Sequence, residues 1–174
     1  MGIEGKYVTD FFVADMHFGS PFRSYAKPRG FSSVEEMHEA ISEAWRSRVS
    51  EEDTVWVLGD VGDLAVLAQL PGTKHLIFGN DDKPRGPIKE SGLFASCQTC
   101  HVLETDQGQI LLIHIPKGAK RDDLPVLHGH THAGPDEKDT RFVSVSVDKT
   151  GWGPISLDEV LRRFEKRRGQ PAAG

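Results

Sequence analysis

Two periodicities alternate along this chain, one of strands and one of helices. Lys6 to Ala14 is rich in β-branched and aromatic residues and reads as a first strand that stops before Asp15. After a loop punctuated by Pro and Gly, Ser33-Val34-Glu35-Glu36 offers a capping box. Val34, Met37, Ile41, Trp45 and Val49 then recur at helical spacing, predicting an amphipathic helix to about Ser50. Thr54 to Leu58 is a short apolar run read as a buried strand, and Gly59-Asp60 ends it. Leu64 to Leu70 reads as a short helix with Asp63 as N-cap and Pro71-Gly72 as stop. His75 to Phe78 is the next strand, ending at Gly79-Asn80.

Beyond this point the pattern becomes mainly β. His101 to Glu104 and Gln109 to Ile115 flank Asp106-Gln107-Gly108, a hairpin signal. Val126-Leu127-His128 and the alternating Phe142, Val143, Val145 and Val147 add two strands. A second capping box, Ser156-x-x-Glu159, opens a last helix that turns Leu157, Val160, Leu161 and Phe164 inward. A βαβαβ half followed by a mainly β half predicts two facing sheets covered by helices, with no internal domain boundary. The tail from Gly169 to Gly174 is expected to be disordered.

Composition narrows the class only a little. The chain has 174 residues, 37% hydrophobic and 27% charged, with a formal net charge of −5. That is ordinary for a globular protein with a sizeable core and unsuited to electrostatic capture of nucleic acid by the whole surface, although a local basic patch is not excluded. No apolar run reaches membrane-spanning length, and Met1 to Lys6 lacks the apolar region of a signal peptide, so a cytoplasmic location is expected. The two cysteines form Cys97-Gln98-Thr99-Cys100, followed by His101, the literal pattern of haem attachment or of a redox pair. Haem attachment needs export, and a thioredoxin-like pair belongs near a helix start rather than before a hairpin, so reduced, partly buried cysteines are expected.

The chemistry sits in five motifs: Asp15-Met16-His17, Gly59-Asp60, Gly79-Asn80-Asp81, His114 and Gly129-His130-Thr131-His132. Taken singly each is a turn or a strand end. Taken in order, at strand ends, they converge on one edge of a sheet. Carboxylate and imidazole donors without thiolate suit Mn, Fe, Zn, Ni or Co rather than a structural zinc. A carboxylate has two oxygens and can serve two cations, and Asn80 adds an oxygen without charge. An extended Gly129–His132 would place both imidazoles on one face. His38, His75, His101 and His128 are expected to be structural or solvated.

On these motifs, and on the helix that leads into Asp53-Thr54-Val55-Trp56-Val57-Leu58-Gly59-Asp60, the chain resembles the calcineurin-type metallophosphoesterases. It is most similar to their short bacterial and phage branch. The resemblance implies an α/β (α+β) fold, a four-layer αββα sandwich of two mixed β-sheets flanked by helices, with residues 1–168 as a single domain. It implies two divalent metal ions, Mn favoured, with Asp15, His17, Asp60 and His132 on the first and Asp60, Asn80, His114 and His130 on the second. Asp60, Asn80 and His130 are then the residues closest to the chemistry. A hydroxide bridging the metals would hydrolyse a small phosphoester.

One departure bears on substrate. Many members of the family carry histidine after Gly-Asn, where it helps protonate the leaving oxygen; here that position is Asp81. An aspartate, with a reference pKa of about 3.9, is a poor proton donor at neutral pH, and its charge repels a dianion. Members without the histidine tend toward phosphodiesters, which favours that class here, nucleotides included. Lys27-Pro28-Arg29-Gly30 and Lys83-Pro84-Arg85-Gly86 each follow a metal motif. Arg29 and Arg85 are therefore candidates, with Asp81, for the substrate rim, although solvated loop charges are the plainer expectation. The run Arg162, Arg163, Lys166, Arg167, Arg168 reads as the solvent face and last turn of a helix, where cations suit the dipole. Two rivals stand beside this reading: a non-catalytic scaffold of the same fold, against which the full ligand set argues, and a nuclease on polymers, which needs a basic track.

Overall fold

The computed structural model describes residues 8–169. The elements in chain order are β1 (Asp10–Val13), α1 (Val34–Arg46), β2 (Thr54–Val57), α2 (Leu64–Leu67), β3 (Thr73–Ile77), α3 (Arg85–Glu90) and β4 (Ser96–Gln98). They continue with β5 (Cys100–Thr105), β6 (Gly108–Ile113), β7 (Val126–His128), β8 (Phe142–Ser144), α4 (Val147–Thr150), β9 (Ile155–Ser156) and α5 (Leu157–Arg168). Lys6 and Tyr7 of the expected first strand, and the tail beyond Gly169, lie outside the described residues; Gly169 itself caps α5.

Two mixed sheets result. The first runs β4-β3-β2-β1-β9, parallel from β4 to β1 with β9 antiparallel at the edge. The second runs β5-β6-β7-β8, with the β5–β6 hairpin antiparallel and the rest parallel. Alternation along β1 and β2 divides the core: Phe11, Val13, Val55 and Val57 face α1 through Met37, Ile41 and Trp45, while Phe12, Trp56 and Leu58 face the second sheet. That inner layer is filled by Leu112, Leu127 and Val143, and by Val160 and Phe164 of α5. The expected pair of mixed sheets with flanking helices is therefore present. α5 packs across β8, β9 and β1, and the outer face of the second sheet carries a small cluster around Leu111, Leu124 and Val126.

Both expected capping boxes form on one side only. Ser33 Oγ accepts from Glu36 N at 3.0 Å, but the Glu36 carboxylate reaches back to Ser32 N, at 2.6 Å, rather than to Ser33. Ser156 Oγ accepts from Glu159 N, and the Glu159 carboxylate is taken by Arg162 and Arg163. Four elements escaped the sequence reading: α3, β4, α4 and the two-residue β9. α3 has no buried residue and β4 is three half-buried positions, so neither leaves a periodic trace. With them the first half is βαβαβαβ. Val147, read as strand, begins α4 instead.

Thr99 alone separates β4 in one sheet from β5 in the other, so the two cysteines flank the crossover between sheets. Both are free; Cys97 is half-buried, but Cys100 is exposed rather than partly buried as expected, because it begins the edge strand of its sheet. Replacing both by serine is expected to leave metal content and turnover intact, as checked by elemental analysis and initial rates; loss of either in a folded double variant would point to a redox or metal role.

Candidate metal centre

Parallel strands put their C-terminal ends on one edge, and every expected ligand follows such an end. Asp15 comes two residues after β1, Asp60 three after β2, Asn80 three after β3, His114 directly after β6 and His130 two after β7. Backbone bonds then stitch the ends together. Asp15 N donates to Gly59 O, His17 N to Asp60 O, Gly129 N to His114 O, and Ala14 N across to Val145 O, all within 2.9–3.1 Å. The last of these fastens the two sheets to each other at the site.

The backbone is strained where the ligands stand. Among the described residues six that are not glycine have positive φ, and five of them are Asp15, His17, Asp60, His130 and His132. Asp and His tolerate the left-handed region better than branched side chains, yet such positions typically cost about 1–3 kcal/mol and cluster at functional sites. The winding also corrects an expectation. Gly129–His132 is not extended; left-handed turns at His130 and His132 aim the two rings at different partners. Close approach explains two glycines. A Cβ at Gly79 would fall 2.1 Å from Asp60 Oδ1, and one at Gly59 would fall 2.6 Å from the backbone of Gly79.

The expected ligands gather into two triads, Asp15–His17–His132 and Asp60–His114–His130, with the donor atoms of each within 4.8 Å of one another. Asp60 lies between them, its Oδ2 at 3.2 Å from His114 Nε2 and 3.7 Å from His17 Nε2. Asn80 Oδ1 joins the second triad, 3.0 Å from His114 Nε2 and 2.9 Å from His130 Nδ1. Asp81 is the exposed neighbour. Its backbone N donates to Asp60 Oδ1, its carboxylate lies 3.8 Å from His17 Nδ1, and Tyr25 donates its hydroxyl to it at 3.4 Å. It also forms a third candidate group with His17 and Asp60.

These residues fit divalent cations on grounds internal to the site. His17 Nε2 is buried and has no hydrogen-bond partner. Burial pushes the His17 imidazole down to about 4, so it is neutral and able to ligate at physiological pH. Asp15 is wholly buried, and desolvation raises its carboxyl above the usual range against the opposing pull of His132 and His114. Burial acts the same way on Asp60, but hydrogen bonding and charge from His114 outweigh it and hold the group low. Buried carboxylates among imidazoles call for cationic compensation, which metal ions supply. The far nitrogens of two rings are anchored as ligands require: His114 Nδ1 to Leu58 O at 2.7 Å and His132 Nδ1 to Asp148 Oδ2 at 3.1 Å.

Several residues around the centre escaped the sequence reading. Asp148 is one, held by a bidentate Arg29 at 2.7 and 3.0 Å and by Ser146 Oγ. Arg29 is a correction: it is neither a rim cation nor a solvated charge, because its side chain is 3% exposed and its guanidinium also binds Asp15 O and Met16 O. Tyr25 stacks on His17 with ring centroids 3.7 Å apart. Asp82, buried beside the exposed Asp81, accepts from Gly79 N at 2.7 Å, Asp60 N at 2.9 Å and Val61 N at 3.0 Å. The repeated carboxylate in Gly-Asn-Asp-Asp was its only sequence trace. Asp82→Ala strands three donors, each worth about 1–3 kcal/mol when left unpaired and buried. Denaturant unfolding should therefore show a loss of at least about 3 kcal/mol, Asp82→Asn losing less; unchanged stability of the alanine variant would refute this role.

Arg85 is exposed at the start of α3 with its guanidinium over the Phe78 ring, 4.8 Å from the centroid. The remaining histidines have structural partners. His38 Nε2 accepts from Gly19 N at 2.7 Å, tying α1 to the first ligand loop; His75 and His101 sandwich Trp56; His128 is buried. The basic run of α5 is less solvated than expected. Arg163 and Arg167 are only 28% and 14% exposed, paired with Glu159 and Asp136, and they line a cavity with Lys149.

Comparison with known proteins agrees with this geometry. The chain is 27% identical to an uncharacterized protein of Methanocaldococcus jannaschii, over 90% of this chain and 91% of that protein. It is 30% identical to the Gene 66 protein of Mycobacterium phage D29, over 70% of this chain and 77% of the other. A solved protein of unknown function from Aquifex aeolicus shares the fold with a TM-score of 0.74 at 24% identity, covering 90% of this chain and 99% of that one. No helix among the described residues is long and apolar enough to cross a membrane. Residues 11–147, which carry all the ligand motifs, match the model of the calcineurin-like phosphoesterase superfamily domain, and the chain belongs to that superfamily.

Proposed function

We propose that this chain is a phosphoesterase that holds two divalent cations, manganese favoured, and prefers phosphodiesters, nucleotides among them. The observation that carries this reading is the division of six side chains into two triads with Asp60 between them. Asp15, His17 and His132 would hold one ion, and His114, His130 and Asn80 the other, with Asp60 shared. When bound, such ions supply Lewis acidity at the phosphoryl oxygens and lower the pKa of water toward about 7. The chain's own part is positional. Arg29 and Asp148 fix the His132 ring and the Asp15 backbone, the Leu58 carbonyl fixes His114, and Asp82 clamps the Asp60 and Gly79 backbones together. Tyr25 covers one face of His17, and the exposed Asp81 carboxylate borders the centre, where it would face a departing leaving group.

The preference for diesters rests on Asp81. A carboxylate beside the centre repels a dianionic monoester more than a monoanionic diester, and it stands where an imidazole donor would otherwise assist the leaving group. The test is elemental analysis of Mn²⁺-saturated protein, expected to find about two ions per chain, with turnover of bis-p-nitrophenyl phosphate exceeding that of p-nitrophenyl phosphate. A reproducible content near one ion at full activity would overturn the shared-carboxylate arrangement. Two ions without turnover of either ester would indicate a scaffold.

A further inference from the structure

Beside His130 the surface opens into a cavity of about 420 Å³. This lies within the range of pockets that hold small organic molecules and far exceeds what a phosphoryl group needs. Its walls come from the two segments that leave the centre: Ile115 and Pro116 after His114, and Gly134 and Pro135 after His132. Lys117 and Glu137 are the charged residues of the lining, and Thr131 and His130 complete its polar side. Ile115 is 38% exposed, one of three large hydrophobic side chains left exposed among the described residues. The ligand cluster itself is entirely polar. A substrate consisting of phosphate alone would leave the apolar walls unused, whereas one with an apolar substituent would cover them.

We infer, building on the phosphoesterase reading above, that this cavity receives the organic group of the ester, a bulky and largely apolar substituent on phosphate. The phosphorus then lies at the centre beside His130, and the two wall segments grip the substituent. Placement of the walls on the segments directly following His114 and His132 couples substituent recognition to the ligand loops themselves. Ile115 and Pro135, one from each wall segment, are the residues that set the preference.

The test uses phosphate monoesters, which carry one organic group and so leave no doubt which group is held. Calorimetric titration of Mn²⁺-saturated protein with methyl phosphate, phenyl phosphate and thymidine 5′-phosphate compares substituents at a constant phosphate. Covering the apolar walls should make phenyl phosphate or thymidine 5′-phosphate bind at least about tenfold more tightly than methyl phosphate. Tighter binding of the nucleotide than of phenyl phosphate would identify a nucleoside as the substituent; equal binding would identify an apolar ring in general. Ile115→Asn, at an exposed position that does not threaten folding, should bring the ratio to methyl phosphate close to one, and Pro135→Asn should lower it independently. Equal affinities for all three in the natural protein, or a ratio unchanged in both variants, overturns the inference while leaving the phosphoesterase reading intact. Failure to bind any of them also overturns the inference, while the phosphoesterase reading stands or falls separately on turnover of bis-p-nitrophenyl phosphate.

Discussion

Asp60→Ala is expected to empty both halves of the centre at once. Asp60 Oδ2 lies within 3.7 Å of a ring nitrogen in each triad, so its removal takes a donor from both. It also removes negative charge from between two divalent cations, which then repel each other at short range. Loss of a supporting partner around a metal typically costs about 10–100-fold in affinity or activity; loss of a shared ligand should exceed that, with turnover down by more than about 1,000-fold. Metal analysis should show both ions lost together rather than one retained. Asp60→Asn keeps the shape and an oxygen able to accept from Asp81 N, and separates the effect of charge from that of folding. A folded Asp60→Ala variant that keeps one ion and measurable turnover would show that the two sites do not share this residue.

Asp81→His is expected to change which esters the protein can cleave. Without a proton donor, hydrolysis should fall steeply as the leaving group becomes more basic, because alkoxides depart poorly as anions. An imidazole of pKa about 6.5 donates at neutral pH and removes a repulsive charge. General-acid assistance is typically worth on the order of 10²–10⁴-fold, so alkyl esters and monoesters should gain most and the dependence on leaving-group pKa should flatten. The structure gives this substitution a second possible outcome. Asp81 also groups with His17 and Asp60 as a candidate ligand set. Loss of an ion in Asp81→His would assign the carboxylate to a metal, and two retained ions with an unchanged slope would remove Asp81 from the leaving-group position. Either result withdraws the main support for diester preference.

What the sequence by itself determined was local: where strands stop, and which donors follow. Periods of 2.0 and 3.6 reveal buried faces because each is set by the geometry of one element. Asp15, Asp60, Asn80, His114 and His130 lie within three residues of a strand end, so their convergence follows once those strands are parallel. Asp63 could be read as an N-cap, and it accepts from Ala65 N, because capping is decided within one turn. α3 and β4 were illegible because neither buries enough to leave a pattern.

Only the tertiary structure decided how these donors are divided and held. His130 N bonds the Asp15 carboxylate across 115 positions of chain, and Arg29 bonds Asp148 across 119. Neither pairing has a local signature, because each exists only after the two sheets are fastened together at Ala14 and Val145. For the same reason a loop arginine that would ordinarily be solvated is buried here. Once Asp148 is placed beneath His132, a buried carboxylate needs a cation, and Arg29 lies within reach. The left-handed turns at five expected ligands are likewise imposed by closure of the site, because the surrounding hydrogen bonds over-determine backbone angles that isolated residues would avoid.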